Sequence, residues 1–369
     1  MTATTPPFVG LLRGSGEPEG EYALRYERQS WSMLRVLWDQ SERRPNHEWL
    51  VCDDQSRITF SEAWTLVQKI GFAISRDVGS GSDVALLLRN QIEFMPAFYG
   101  AQLNSGVVVP FNAESRGKHL EYLLEKSDAS VLIVRDELFV RLNDLETLGG
   151  VRLVIVTGRE PDCWQMLGVP VVGWETWLAE IDIGNYAVAE AALPNWHDTA
   201  VIQFTSGTTG GAKGVVFSHL YLYKAAAVVA DSLGRVSSDV LFTPLPIFHV
   251  GALHFIANSA LHAGCTAHVV STFSPSKCWQ QAADSGANFA RILAPMLALI
   301  DKVTHEVSPH CVIGVFVFHG PSTRTIRTTI RRQTVVASIW DDRGTPSPST
   351  PKSFAEQADR DTRSAGAMV

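Results

Sequence analysis

The stretch Phe204–Gly214, F-T-S-G-T-T-G-G-A-K-G, is the most chemically specific part of this 369-residue chain. It follows a short apolar run, Ala200, Val201, Ile202 and Phe204, and precedes a segment of helical character from Ser218. It is therefore expected to lie between a strand and a helix. Its glycines, Gly207, Gly210, Gly211 and Gly214, permit positive φ and let the backbone come close to a ligand. Successive N–H groups in such a loop can turn inward and form an anion nest. The hydroxyls of Thr205, Ser206, Thr208 and Thr209 add donors, and Lys213 adds a positive charge. That donor set suits a polyphosphate. A Walker A loop requires G-x-x-x-x-G-K-[ST], whereas here Ala212 precedes Lys213 and Gly214 follows it. The competing reading is a flexible Gly/Thr loop without a ligand, and the length and order of the string weigh against it.

Upstream, the pattern is α/β. Met33, Leu34, Val36 and Leu37 give one apolar face to a helix from Ser30 that should stop before Pro45. Leu50–Cys52 and Arg57–Phe60 read as two strands around a turn at Asp53–Ser56, and Ser61 opens a helix. Val84–Leu88 is continuously apolar, as in a strand buried on both faces. A helix is expected over Asn90–Asn104 and a strand over Val107–Pro110, which together make a βαβ unit with a parallel pair. A helix over Leu120–Lys126 and strands over Val131–Val134 and Val151–Val156 continue the series. Glu160–Asn195, with Trp164, Trp174 and Trp177, reads as an irregular, partly exposed connection.

Downstream, a helix over Leu220–Ala230 and a strand over Val240–Thr243 lead to Leu245–Gly251, L-P-I-F-H-V-G. A strand over Thr266–Val270, a helix over Pro275–Ser285, a strand over Ala287–Leu293, a helix from Pro295 and a strand over Val312–Phe318 follow. From Gly320 onward Arg, Thr, Ser, Pro and Asp dominate, with little apolar periodicity beyond Thr334–Trp340. Such a tail is not expected to build a core.

Composition sets outer limits. The chain is 46% hydrophobic, enough for a sizeable core, and its net charge of -7 gives no electrostatic footprint for nucleic acid. Cys52, Cys163, Cys265, Cys278 and Cys311 form no C-x-x-C pair, which points to reduced thiols and a cytoplasmic setting. No signal peptide and no apolar run of spanning length is legible. The five-residue step from His249 to His254 is wrong for two metal ligands on one helix face, so no metal site is expected from these histidines.

The run T-S-G-T-T-G-G-A-K-G-V, Thr205–Val215, resembles the signature of the adenylate-forming superfamily of acyl-CoA synthetases, adenylation domains and luciferases, commonly T-S-G-T-T-G-x-P-K-G-V. Ala212 stands where proline is usual. Leu245–Gly251 resembles that superfamily's L-P-x-F-H-x-x-G, and S-G-A-N-F-A-R-I-L-A-P-M-L-A-L-I, Ser285–Ile300, resembles its substrate-pocket wall. The general run resembles acyl-CoA ligases of the carnitine and fatty-acid type more than it resembles peptide-synthetase modules. The resemblance covers roughly residues 30–318. It implies the large N-terminal portion of the adenylate-forming fold, mostly parallel sheets flanked by helices. Residues 1–29 are then a loosely ordered leader and 319–369 an atypical, disordered tail.

By the same resemblance, the substrates are ATP, a carboxylic acid and coenzyme A, with Mg2+ accompanying the nucleotide. Thr205, Ser206, Gly207, Thr208, Thr209, Gly210, Lys213 and Gly214 would hold phosphate. Phe248 and His249 would border the acid, with His249 as the catalytic side chain. The alternative for His249 is a hydrogen-bonded histidine at a helix start. The superfamily's Y-G-x-T-E motif, ribose-binding aspartate, hinge and small C-terminal lysine-bearing domain are not legible here, and Lys352 lies in no matching context. The chain as written is therefore expected to have little adenylating activity, and a non-catalytic nucleotide-binding remnant is the main alternative. An unrelated phosphate-loop NTPase, disfavoured by the failed Walker match, and a purely structural protein are the others. A one-nucleotide slip between about Val317 and Trp340 would account for the change in composition. Reading Ile339–Gly344 one base later, with codons chosen to fit, gives Tyr-Gly-Met-Thr-Glu.

Overall fold

The computed structural model describes residues 31–161, 163, 165–184, 193–205 and 211–303, together with the strand backbone of 314–318, 329–330, 333–334 and 337–340. Helix α1 (Met33–Arg43) starts where Ser32 accepts a hydrogen bond from the Arg35 N–H. Strands β1 (Glu48–Cys52) and β2 (Arg57–Thr59) form the expected antiparallel hairpin. Helix α2 (Phe60–Asp77) begins one residue earlier than the pattern suggests. Thr59 and Glu62 form a reciprocal capping box, satisfying two backbone donors at the helix start and drawing Phe60 into the first turn.

Strand β3 (Val84–Leu87), helix α3 (Phe94–Leu103) and strand β4 (Val108–Pro110) form the parallel βαβ unit. The helix starts four residues later than Asn90. Helix α4 (Gly117–Lys126), strand β5 (Val131–Arg135), the short helix α5 (Asp136–Phe139) and strand β6 (Leu153–Thr157) follow. The segment after Glu160 is more regular than its sequence suggests, containing β7 (Gln165–Met166), β8 (Val169–Gly173) and helix α6 (Trp174–Ala179). Trp174 and Trp177 are buried rather than exposed, and the Trp177 indole N–H donates to Asp77 Oδ2 at 2.8 Å. Spacing three apart on one helical turn sets the two rings beside each other, 6.0 Å between centroids.

The remaining described elements are β9 (Thr199–Thr205), β10 (Lys213–Ser218), α7 (His219–Ser232), β11 (Val240–Thr243), α8 (Val250–Ala252) and α9 (Ser259–Ala263). They continue with β12 (Thr266–Val269), α10 (Cys278–Asp284), β13 (Phe289–Arg291), α11 (Ala294–Val303) and β14 (Gly314–Phe318). Last come β15 (Thr329–Ile330), β16 (Gln333–Thr334) and β17 (Ala337–Trp340). A π-helical turn, Leu253–Asn258, joins α8 to α9.

Among the described residues, one sheet runs β10-β9-β4-β3-β5-β6-β8-β7 and a second runs β17-β14-β13-β11-β12-β1-β2. Pairing is parallel except at β10, β7 and β2, each the edge strand of its sheet, and in the separate β15–β16 ribbon. Strand period two explains the layering. Val84 and Leu86 of β3 join one core and Ala85 and Leu87 another, so both faces of the first sheet are covered. The larger core also takes in α1, α2, α3, α6, α7 and α9, which lie between the two sheets. A third cluster around Phe242, Trp279 and Ile300 covers the outer face of the second sheet. This is an α/β architecture of mostly parallel sheets flanked by helices. Within the expected tail, Ala337–Trp340 pairs in parallel with β14, while residues 1–30 and 341–369 lie outside the described residues.

Candidate functional site: the hairpin loop and the segment facing it

The glycine-rich stretch is carried by a β-hairpin, not by a strand-to-helix turn. Strand β10 runs antiparallel to β9, with Lys213 opposite Thr205, Gly214 opposite Phe204 and Val215 opposite Gln203. Helix α7 starts only at the end of β10, where Ser218 accepts from the Tyr221 N–H. The β-branched pair Val215 and Val216 favours the extended state in a segment too short to be read by periodicity. Ser206, Gly207, Thr208, Thr209 and Gly210 lie outside the described residues. The mouth of the loop is described. Thr205 Oγ1 donates to the Lys213 carbonyl at 3.3 Å, and Tyr122 Oη, from α4, donates to the Ala212 carbonyl at 3.2 Å. Gly214 is dictated by contact, because a Cβ there would stand 2.8 Å from Ile202 Cγ2.

Alternation along β9 sorts its side chains. Ile202 and Phe204 pack with the core on the α4 side, and the Phe204 ring lies 6.2 Å from that of Phe111. Val201, Gln203 and Thr205 take the opposite face. Lys213 and Val215, directly across from Thr205 and Gln203, share it. Lys213 and Thr205 are exposed, whereas Gln203 is buried, and its Nε2 donates to the Phe248 carbonyl at 2.8 Å. One face of the hairpin thus brings the loop's lysine and first threonine beside the segment that carries Phe248 and His249.

That segment, Leu245–Gly251, is fixed from its other side by Asn90. The Asn90 Nδ2 donates to the carbonyls of Leu245 and Val270, each at 2.8 Å, and its Oδ1 accepts the Ile247 N–H at 2.6 Å. Thr243 Oγ1 accepts from the Leu245 N–H and donates to the Arg291 carbonyl. Asn90 follows β3, Leu245 follows β11 and Val270 follows β12, so the carboxyl ends of strands from both sheets meet here. Open α/β sheets bind ligands at such strand ends.

His249 occupies the N-cap of α8, and its Nδ1 accepts the Gly251 N–H at 3.3 Å. The helix-start reading of this histidine is therefore realised, and it has a chemical consequence. An Nδ1 that accepts must lack a proton, so the neutral ring carries its hydrogen on Nε2. The residue is exposed at its outer edge, and desolvation of the part of the ring that packs inward, with the positive charge of Arg291 second, lowers the His249 pKa below its ordinary 6.5. At neutral pH this ring is a hydrogen-bond donor through Nε2. The Phe248 ring is half-buried and meets it edge-on at 6.5 Å.

Three residues at this site, Gln203, Asn90 and Tyr122, lie outside the three motifs, and a fourth, Arg291, lies within the pocket-wall stretch without being singled out by it. Gln203 and Asn90 orient the acid-side segment, and Tyr122 holds the loop's end. Arg291, 2% exposed, places its guanidinium 4.4 Å from the Phe255 ring centroid, and burial brings its pKa down to about 10. A polar side chain inside an apolar strand, as in A-V-I-Q-F and F-A-R-I, was the available sequence signal. Among the described residues there is no cluster of three or more His, Cys, Asp or Glu placed to hold a metal. The exposed Lys213 and the Thr205 hydroxyl fit a polyphosphate, and a magnesium ion would arrive on that polyphosphate.

The profile of the AMP-binding enzyme family matches residues 37–311, and the chain belongs to that family. It is 27% identical over 250 residues to 4-coumarate–CoA ligase 5 of Oryza sativa subsp. japonica, covering 66% of this chain and 44% of that enzyme. It is 26% identical over 271 residues to crotonobetaine/carnitine–CoA ligase of Shigella flexneri serotype 5b (strain 8401), covering 72% of this chain and 52% of that enzyme. The chain spans about half the length of these relatives. Its fold is similar to the inhibitor-bound N-terminal domain of FACL13 from Mycobacterium tuberculosis, with a TM-score of 0.66 and 23% identity over 79% of this chain and 71% of that one. Among the described residues no helix is long and apolar enough to cross a membrane.

Proposed function

We propose that this site binds MgATP at the β9–β10 loop and is built to activate a carboxylic acid. A carboxylate oxygen attacks the α-phosphorus of ATP, pyrophosphate departs with the β- and γ-phosphates, and an acyl-adenylate remains. Attack by the thiol of coenzyme A on the acyl carbon then releases AMP and forms a thioester. Lys213, the Thr205–Gly210 backbone and hydroxyls, and the Gly214 N–H would neutralise and orient the departing phosphates. Phe248 would border the acid, and His249 Nε2–H would donate to an oxygen of the reacting carboxylate. Catalysis of such a transfer rests on positioning and charge neutralisation. The observation that carries this reading is the shared face: Lys213 and Thr205 stand beside Gln203, which bonds the Phe248 carbonyl. The names of the two curated relatives above, both CoA ligases, agree with it. In this reading residues 30–318 form the adenylating unit, with 1–29 a leader and 319–369 an atypical tail from which Ala337–Trp340 adds a strand beside β14.

The second reading is a nucleotide-binding protein that forms no adenylate, motivated by the absence of a legible Y-G-x-T-E motif in the sequence. Pyrophosphate exchange into ATP, measured with a panel of aryl, short-chain and long-chain acids, separates the two. Acid-dependent exchange well above the acid-free background establishes a working adenylating enzyme. Saturable MgATP binding with exchange at background establishes the second reading. Failure to bind MgATP contradicts both.

A further inference from the structure

We propose that Gln203 is a positioning residue that ties the place of the Phe248–His249 segment to the state of the phosphate loop, an inference that rests on the nucleotide-binding reading above. Three observations lead to it. The first is chemical. A carbonyl oxygen only accepts, so the Gln203 amide must present nitrogen to Phe248, and its orientation is fixed. Its Oε1 is buried and, among the described residues, has no hydrogen-bond partner. A leucine or methionine would fill this apolar strand position without leaving an unmatched oxygen, which is costly when buried. The amide is therefore poorly explained as packing and well explained by the bond it makes.

The second observation is the division of labour on the acid-side segment. All three Asn90 bonds fall on residues outside Phe248 and His249, the nearest at Ile247. Among the described residues, the Phe248 carbonyl is held from outside the segment by Gln203, whereas His249 is held within its own turn, its N–H donating to the Pro246 carbonyl, its carbonyl accepting from Ala252 and Leu253 and its Nδ1 from Gly251. The third is distance. Gln203 stands two residues before Thr205 on the same face, about 7 Å along the strand. Thr205 Oγ1 closes the hairpin mouth on the Lys213 carbonyl. A triphosphate that takes the Thr205 hydroxyl and the Lys213 ammonium must reset this last rung of the hairpin. Gln203 is the next rung on that face, and it passes the displacement to Phe248.

The test is amide hydrogen exchange of the segment 245–253 with and without saturating MgATP, in the wild-type full chain and in Gln203→Met. Calorimetry on the same samples reports whether nucleotide binds. The expected result is several-fold slower exchange at Phe248–Gly251 on MgATP binding in the wild type. In Gln203→Met the segment should not respond, although MgATP still binds within about threefold of the wild-type affinity, since every 1.4 kcal/mol is tenfold. The readout is the nucleotide-dependent difference, which a purely structural role would leave intact. Binding without a response in the wild type, or an equal response in the variant, overturns the inference while leaving the nucleotide site standing. No binding in the wild type overturns the nucleotide reading itself. If Gln203→Met fails to fold, Gln203→Leu replaces it, and failure of both makes the residue structural and the proposal wrong.

Discussion

Lys213 is the one cation between Phe204 and Gly214, and it sits exposed at the end of an edge strand opposite Thr205. A charge-assisted contact to phosphate contributes about 1.5–3 kcal/mol. Lys213→Ala should therefore weaken MgATP binding by roughly 10- to 100-fold by calorimetry, with little change in the melting temperature. Affinities within twofold of each other would mean the loop does not grip phosphate through this side chain. One residue earlier, Ala212 has a negative φ, and its carbonyl, the group Tyr122 holds, is kept by proline. Ala212→Pro should be tolerated or stabilise by about 0.4–1 kcal/mol through the unfolded state. A large drop in the denaturation midpoint would show that the loop departs from its family's conformation. Lys213 and His249 were legible because motif spacing fixes them. Gln203 and Asn90 were not, because their importance lies in carbonyls distant in sequence that only the sheet order brings near.

The hairpin, the π-helical turn and α7 form one unit at the scale of elements. His254, in the π-helical turn, stacks edge-on against Phe217 of β10 and Tyr221 of α7, and its Nδ1 lies 3.4 Å from Asn258 Nδ2. Tyr99 Oη donates to Asn258 Oδ1 at 2.8 Å, extending the network to α3. Burial pushes His254 down to about 4, and His219, at the first turn of α7, likewise to about 4. Both are neutral in the folded protein and titrate near 6.5 when unfolded. Their stabilisation is complete above pH 6.5 and is lost as pH falls towards 4, by roughly 2 kcal/mol each at pH 5. Urea unfolding should thus show stability falling from pH 7 to 5, with a shallower slope in His254→Gln. An unchanged slope in that variant would contradict burial of a neutral His254. Helix α2 offers a separate check. Thr59→Ala removes the capping box and should cost about 1 kcal/mol by the same method, whereas a cost near zero would show that tertiary packing alone fixes the helix start.

The two sheets meet through Asn90, and that junction governs the molecule as a whole. Asn90→Leu strands the carbonyls of Leu245 and Val270 and the N–H of Ile247 in a buried place. Each buried orphan costs roughly 1–3 kcal/mol, so this single change should lower the melting temperature by roughly 4–12 °C. A melting temperature within a degree of wild type would remove Asn90 from the account. The parallel α/β plan was readable because β3, β5 and β6 are short apolar runs that only a two-sided sheet can bury. The hairpin under the glycine-rich loop was missed because β10, K-G-V-V-F-S, is an edge strand with Val216 60% exposed, so it lacks the burial pattern that announces a strand. Helix α6 was missed because six residues are too few for helical periodicity to show. The most direct test of the central claim is a calorimetric titration of the full chain with MgATP, repeated with pyrophosphate present and with Lys213→Ala. The account predicts saturable one-site binding that pyrophosphate displaces and that weakens at least tenfold in the variant. No heat of binding, or binding indifferent to both pyrophosphate and Lys213, would contradict it.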